Sequence, residues 1–426
     1  MSRPVRSVAL FGYLGSGNIG NDATFETVLG WLRSTYPEVD VRCITIAPEE
    51  ITARYGIPAV PLAWRSSRTV RNPAIGKVQK LLGRLLDIPR SYALAGEADA
   101  IIVPGMGVLE ATLGVHPWGM PLWLFLTAAA CRVRRRRFLL LDVGAEFAAN
   151  PITRRLNVAT VGLATHVSYR DDASAAAMTR AGARKPEAIA PDLVFAYPAS
   201  TQANPGSGRL VVGVMAFYGK GDDPVRGAEV RRRYVVTMAD ALAQVAAPDD
   251  HIVIVSGDHV DIGVSHELRA AILSARPDLP DDAVLVREFT TFTELTEEMK
   301  QAEVVIPSRF HNLICALRLA RPTVSAGYAS KNHELMLALG LDEYSQTMEH
   351  LDGEKLVAQV RAARRNAESL TATIRRGTSE YAEEVEALLE RVATEALALP
   401  RRPWRIADVP EEVNKEFDKE NAWYGS

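Results

Sequence analysis

Two α/β domains built on mostly parallel sheets, followed by a helical C-terminal extension, are predicted by three features of the chain. Its 426 residues exceed one ordinary core, so length points to two or three domains. Short β-rich runs alternate with helical patterns from end to end, which is the mark of α/β layers. A stretch rich in Pro, Ser, Gly and Asn, AYPASTQANPGSG at residues 196 to 208, separates two series of such runs and reads as a linker.

The first series comprises Ser7 to Phe11, Val39 to Ile46, Ala100 to Val103, Phe138 to Val143 and Val167 to Tyr169. The second runs through RLVVGVM from Arg209, HIVIVSG, AVLVREF, AEVVIPS and PTVSAGY. Residues 1 to 195 are therefore expected to form an N-terminal α/β domain and 209 to 352 a C-terminal one, with a charged helix and tail over 353 to 426. Ligands of open parallel sheets collect outside the carboxyl ends of the strands. A glycine-rich loop follows the first strand of domain one, and Ser308, Arg309 and His311 follow VVIP in domain two. Two facing Rossmann-like domains of GT-B-like layout would bring these ends to one cleft.

Composition narrows the class. Hydrophobic content of 47% with 24% charged residues is ordinary for a soluble globular protein, and a net charge of −3 gives no general reason to expect a nucleic acid partner. Cys43, Cys131 and Cys315 are scattered and sit in apolar contexts, as expected of buried thiols in a reducing compartment. MSRPVRSVALF offers no small-residue cleavage site, and a cytoplasmic location is expected. Trp118 to Cys131 is apolar and ends against Arg132, Arg134, Arg135, Arg136 and Arg137. It is too short to span a bilayer and reads either as a core helix with a basic turn or as a peripheral docking patch for anionic lipid at the inner face of the plasma membrane.

The glycine-rich loop FGYLGSGNIGND spans Phe11 to Asp22. Gly12, Gly15, Gly17 and Gly20 remove β-carbons where the backbone turns sharply or approaches a ligand. Asn21 or Asp22 is the expected N-cap of a helix whose buried stripe is Phe25, Val28, Leu29 and Leu32. Free amides at that start would make an anion cradle, with about 0.3 to 1 kcal/mol from the helix dipole. The loop is not a Walker A sequence, and Gly15, Gly17 and Gly20 fit the dinucleotide spacing G-x-G-x-x-G, which a plain strand-to-helix turn also satisfies. His259, Asp261 and His266 do not follow a zinc spacing, so no structural metal is expected.

Taken in order, these segments resemble the polysaccharide pyruvyl transferase family. GYLGSGNIGND is similar to the family's opening G-N-x-G-D loop, with Asn21 where Asp is usual and Asp22 next. ADAIIVPGMGVLE is similar to its strand and glycine triplet, interrupted here by Pro104 and Met106. VSYRDDAS resembles its arginine-aspartate turn, APDLVFAYP the strand end closing the first half, and SRFHNLICAL with GYASK the C-terminal R-x-H signature with downstream Tyr328 and Lys331. The resemblance covers most of residues 6 to 345. It implies a GT-B-like enzyme that moves pyruvate from phosphoenolpyruvate onto two hydroxyls of a sugar or lipid-linked saccharide as a ketal, without a cofactor, in making cell-envelope polysaccharide or glycolipid.

A donor carrying both a carboxylate and a phosphate calls for several fixed cations. Arg170 and Arg309 suit both groups by bidentate bonding, with Lys331 as a further contact. Arg170 pairing with Asp171, and Lys331 as a solvated helix-start residue, are the structural alternatives. Protonation of the donor's methylene carbon needs a positioned acid, and His311 is the candidate, since histidine titrates nearest working pH. Asn18 and Asp22 are expected to contact substrate; Asp22, Asp192, Asp171 and Glu110 are candidates for the base, and His116 with Trp118 for the acceptor side. Two other readings stand beside this one: a GT-B glycosyltransferase using a nucleotide sugar, and a non-catalytic subunit of an envelope-assembly complex.

Overall fold

The computed structural model describes residues 3–64, 73–110, 116–198, 208–216 and 224–405. Among these, seven strands form one sheet: β1 (Ser7–Gly12), β2 (Asp40–Thr45), β3 (Ala59–Pro61), β4 (Ala100–Pro104), β5 (Arg137–Val143), β6 (His166–Tyr169) and β7 (Ala188–Ile189). Their order is β3-β2-β1-β4-β5-β6-β7, and every pairing is parallel. The inner strands are covered on both faces, which is why β4 reads as an unbroken apolar run with Ile101, Ile102 and Val103 all wholly buried.

A second sheet contains β8 (Arg209–Gly213), β9 (His251–Val255), β10 (Val284–Arg287) and β11 (Val304–Pro307) in the order β10-β9-β8-β11, again parallel. A short parallel pair, β12 (Ser325–Gly327) and β13 (Ser345–Thr347), is joined to β11 through the bridge Val305–Thr323. Both sheets thus begin with the Rossmann order in which the chain reverses direction beside its first strand. Each reversal opens a crevice at the carboxyl ends, between β1 and β4 in one sheet and between β8 and β11 in the other.

The ten predicted strands are all present, within one or two residues at most ends. Those not foreseen, β3, β7 and β13, are edge strands of two or three residues, too short to display a period. The chain divides into two compact units that are each discontinuous: Met1–Ser16, Thr24–Pro198 and Glu383–Ser426 in the first, Gly17–Ala23 and Ala199–Ala382 in the second. Residues 199–207, most of the expected linker, and the tail from 406 lie outside the described residues. The C-terminal extension is helical, as Gly353–Arg365 and Ala367–Arg391, and the unit boundary falls inside the second of these helices. In the first unit the segment beyond is held by Val5 N donating to Leu397 O at 3.2 Å and Tyr36 Oη donating to Pro400 O at 3.0 Å.

Candidate active site

Residues Gly17–Ala23 of the glycine-rich loop belong to the second unit, where they meet the R-x-H segment. The helix begins at Ile19, earlier than expected, so its cap is Asn18 and not Asn21 or Asp22. Asn18 Oδ1 accepts from the amides of Gly20 at 3.1 Å and Asn21 at 3.2 Å, and its carbonyl accepts from Asp22 N at 3.3 Å. Ile19 N donates to Gly257 O at 3.3 Å. The first-turn amides are thereby satisfied within the protein, and the anion cradle of open amides read from the glycine pattern is not what these residues build. Asp22 is buried in that first turn.

Glycine is needed in this loop for two reasons. Gly17 holds φ at 83°, and a β-carbon there would lie 2.6 Å from the His259 ring. Gly20 has ordinary helical backbone, but a β-carbon would fall inside the His311 imidazole. The loop motif and the R-x-H motif are therefore in van der Waals contact at His311. The same device recurs at the strand ends beneath. β-Carbons at Gly213 and Gly257 would lie 2.6 and 2.9 Å from the amide group of Asn312, so this buried side chain slots between the ends of β8 and β9.

Arg309 stands immediately before the helix Phe310–Arg318, just past β11. Its Nε donates to Asp261 Oδ2 and its Nη2 donates to Asp261 Oδ1 at 2.8 Å, a bidentate pair with a carboxylate of zero exposure. Nη1 stands 3.7 Å from Asp258 Oδ2, and that same oxygen accepts from Asn18 Nδ2 at 3.1 Å. Burial disfavours the guanidinium charge, but the hydrogen bonds and charge of Asp261, with the charge of Asp258, outweigh it and raise its pKa. Asp261 also accepts from the amides of Ala216 at 2.8 Å and Gly257 at 3.3 Å, so it is Arg309's fixed counterion. It does not group with His259 and His266: His266 is exposed and lies 4.0 Å from Glu288, and among the described residues no cluster of three metal-ligating side chains forms.

His311 is the second residue of its helix, its ring edge-on to Phe310 with centroids 5.8 Å apart. Lys331, in the first turn of the helix Ser330–Ala338, places Nζ 5.1 Å from the Phe310 ring centroid and 5.4 Å from that of Tyr328. Behind them, Tyr234 and Ser308 share a buried hydroxyl contact of 2.8 Å. The unit thus gathers Asn18, Arg309, His311 and Lys331 around the β8/β11 crevice. Asp258 and Tyr234 were not singled out from the sequence, because a lone Asp after a strand and a Tyr in a helix carry no local signal.

The first unit holds Arg170, whose side chain is 2% exposed, directly after β6. Its Nη2 donates to Glu110 Oε1, Nη1 lies 3.5 Å from Asp192 Oδ2, and Nε lies 3.6 Å from Asp171 Oδ2. A β-carbon at Gly144 would lie 2.5 Å from Nη2, so this pair is also packed against bare backbone. Asp171 and Asp192 double as caps, accepting from Ser174 N at 2.6 Å and Val194 N at 3.0 Å. Asp142, unnoticed in the sequence, is wholly buried nearby with φ at 57°. Burial, then the Asp192 carboxylate, hold its carboxyl well above the usual range, against the pull of Arg170. Trp118, 45% exposed, precedes the helix Met120–Val133 instead of opening it, and His116 is exposed nearby.

Two parallel-sheet units of this topology define the GT-B type of fold, and solved structures agree. A putative UDP-N-acetylglucosamine 2-epimerase from Listeria monocytogenes aligns over 93% of this chain and 98% of its own, at TM-score 0.62 and 10% identity. A UDP-GlcNAc 2-epimerase from Neisseria meningitidis gives TM-score 0.57 and 11% identity over 90% and 99%. A glycosyltransferase from Rickettsia africae gives 0.58 and 10% over 92% and 98%. At such identities the likeness is one of fold. A search of curated proteins returned no match. The family profile of polysaccharide pyruvyl transferase matches residues 18–330, and the chain belongs to that family.

Proposed function

We propose that the protein transfers pyruvate from phosphoenolpyruvate to two hydroxyls of a sugar or lipid-linked saccharide as a ketal, releasing phosphate, in building a cell-envelope polysaccharide or glycolipid. The observation that carries this reading is the Arg309–His311 pair at the β11 end, with the arginine locked by Asp261 and the imidazole pressed on Gly20. Of five guanidinium N–H donors, Asp261 takes two and fixes the plane of the fork. The rest, with Lys331, meet the donor's carboxylate and phosphate. Asn18 and Asp22 contact substrate from the loop, and Arg170 is assigned a further anion contact on its family motif.

His311 gives its proton to the donor's methylene carbon, leaving the adjacent carbon cationic. The first hydroxyl oxygen bonds to that carbon and loses its proton to a base. Phosphate then departs with its bridging oxygen, and the second hydroxyl bonds in its place and yields its own proton. No cofactor or metal enters the scheme. A cytoplasmic location fits the three cysteines, which are buried and free, with burial pushing Cys131 up to about 12 and Cys315 to about 11.

Phosphate release on incubating the protein with phosphoenolpyruvate and a panel of sugars tests the reaction. Thermal shifts with phosphoenolpyruvate against UDP- and GDP-sugars test the donor. Stabilisation by nucleotide sugars alone rejects the proposal in favour of a glycosyltransferase, and inertness toward every donor rejects both.

A further inference from the structure

Apart from Thr127 and, in its last turn, Arg132, the helix Met120–Val133 is apolar. Met120, Leu124, Ala128 and Cys131 are buried on its inner face. On its outer face Leu122, Phe125, Leu126 and Ala129 are only half-buried and Val133 is 70% exposed, at the spacing i, i+3, i+4, i+7, i+11 of one continuous stripe. Beside it the helix Pro73–Leu94 turns Leu85, Leu86, Ile88 and Tyr92 outward, each between 44% and 56% exposed. Buried Asp87 ties the two together, accepting from Trp123 Nε1 at 2.9 Å and from Trp64 N at 2.7 Å. Arg84 lies 5.4 Å over the Trp118 ring and Arg134 lies 3.9 Å over Tyr92, so the outer stripes are neighbours.

We propose that these two stripes form a docking face for an anionic lipid bilayer. Exposed aliphatic side chains flanked by Trp and Tyr, and rimmed by arginine, are what an interfacial helix pair presents to the headgroup region. Arg84 and Arg134 border the face, and Arg132 and Arg135 stand exposed at its end. Neither helix exposes an acid, since Asp87 is the single carboxylate on the two. That charge pattern selects the occupant. A second copy docked face to face would set arginine rim against arginine rim, whereas an anionic membrane complements it. Among the described residues no helix is long and apolar enough to cross a membrane, so the face lies in the plane of the bilayer. The basic apolar segment noted in the sequence supplies only half of this surface; Leu85, Leu86, Ile88 and Tyr92 come from the neighbouring helix.

The proposal is independent of the reaction, and its test needs no substrate. The whole protein is sedimented with phosphatidylcholine vesicles, with and without phosphatidylglycerol. Binding is expected only with the anionic lipid, falling as salt is raised. Arg132→Gln and Arg135→Gln should each weaken partition about fivefold. Leu85→Glu with Ile88→Glu should abolish it, with circular dichroism confirming the fold; should that variant misfold, the arginine pair alone decides. Binding that ignores lipid charge, or no binding, overturns the proposal. So does light scattering that shows a dimer lost in the Leu85→Glu, Ile88→Glu variant.

Discussion

Both units place an arginine just past the carboxyl end of a parallel strand, and both meet it with carboxylates, yet the balance of charge differs. Arg309, with Lys331 nearby, stands against Asp258 and Asp261, so the charges balance before His311 is counted. Arg170 stands against Glu110, Asp171 and Asp192, with Asp142 buried behind them, so carboxylates outnumber the single cation. The second unit therefore holds its arginine in neutral surroundings, and the first in surroundings of net negative charge. The same residue type after the same kind of strand acquires a different role from its partners.

The largest effect that would sharpen this contrast is at His311. His311→Gln should reduce turnover by about 10² to 10⁴ with the fold intact, and near-normal phosphate release would contradict its role as acid. In the other unit, Arg170→Ala strips the cation from three carboxylates and should cost about 3 to 5 kcal/mol of stability. Urea unfolding measures it, and a loss under about 1 kcal/mol would mean that the cluster relaxes into water.

Smaller effects probe the loop. Gly20→Ala would add about 1 kcal/mol of helix propensity, but the new methyl meets the His311 ring, so a net loss of about 1 to 3 kcal/mol and a displaced imidazole resonance are expected. Lys331→Met should leave the melting temperature nearly unchanged and raise KM for phosphoenolpyruvate about tenfold, whereas an unchanged KM would assign Lys331 to its aromatic neighbours alone. The remaining effect depends on pH and is at Asp142. Its raised pKa means that its stabilising contribution is present below the ordinary carboxylate range and is lost as pH rises through the folded value. Asp142→Asn fixes the uncharged form and tolerates the positive φ, so it should match the parent near about pH 4 and exceed it in stability near about pH 8, by about 1.4 kcal/mol for each unit of displaced pKa. Curves that stay parallel with pH would show that the Asp142 carboxyl titrates in the fold as it does in the unfolded chain.

The alternation of apolar runs and helices was enough to locate ten strands and to class both sheets as parallel, because buried parallel strands must be continuously apolar whatever packs on them. The order of short motifs was enough to indicate the family. The first-turn cap was misplaced because Asn18, Asn21 and Asp22 are chemically equivalent caps, and only contact with Gly257 and His311 chooses among them.

What the sequence by itself determined is which residues carry chemistry: Arg309, His311 and Lys331 stand in one stretch, and their types alone suggest an anion and a proton. What only the tertiary structure decided is their charge balance. Asp258 and Asp261 lie some fifty residues upstream of Arg309, and Glu110 lies sixty before Arg170. Such pairings arise because parallel strands distant in sequence all end at one edge of their sheet, and electrostatic energy depends on distance through space and burial, neither of which a linear string records.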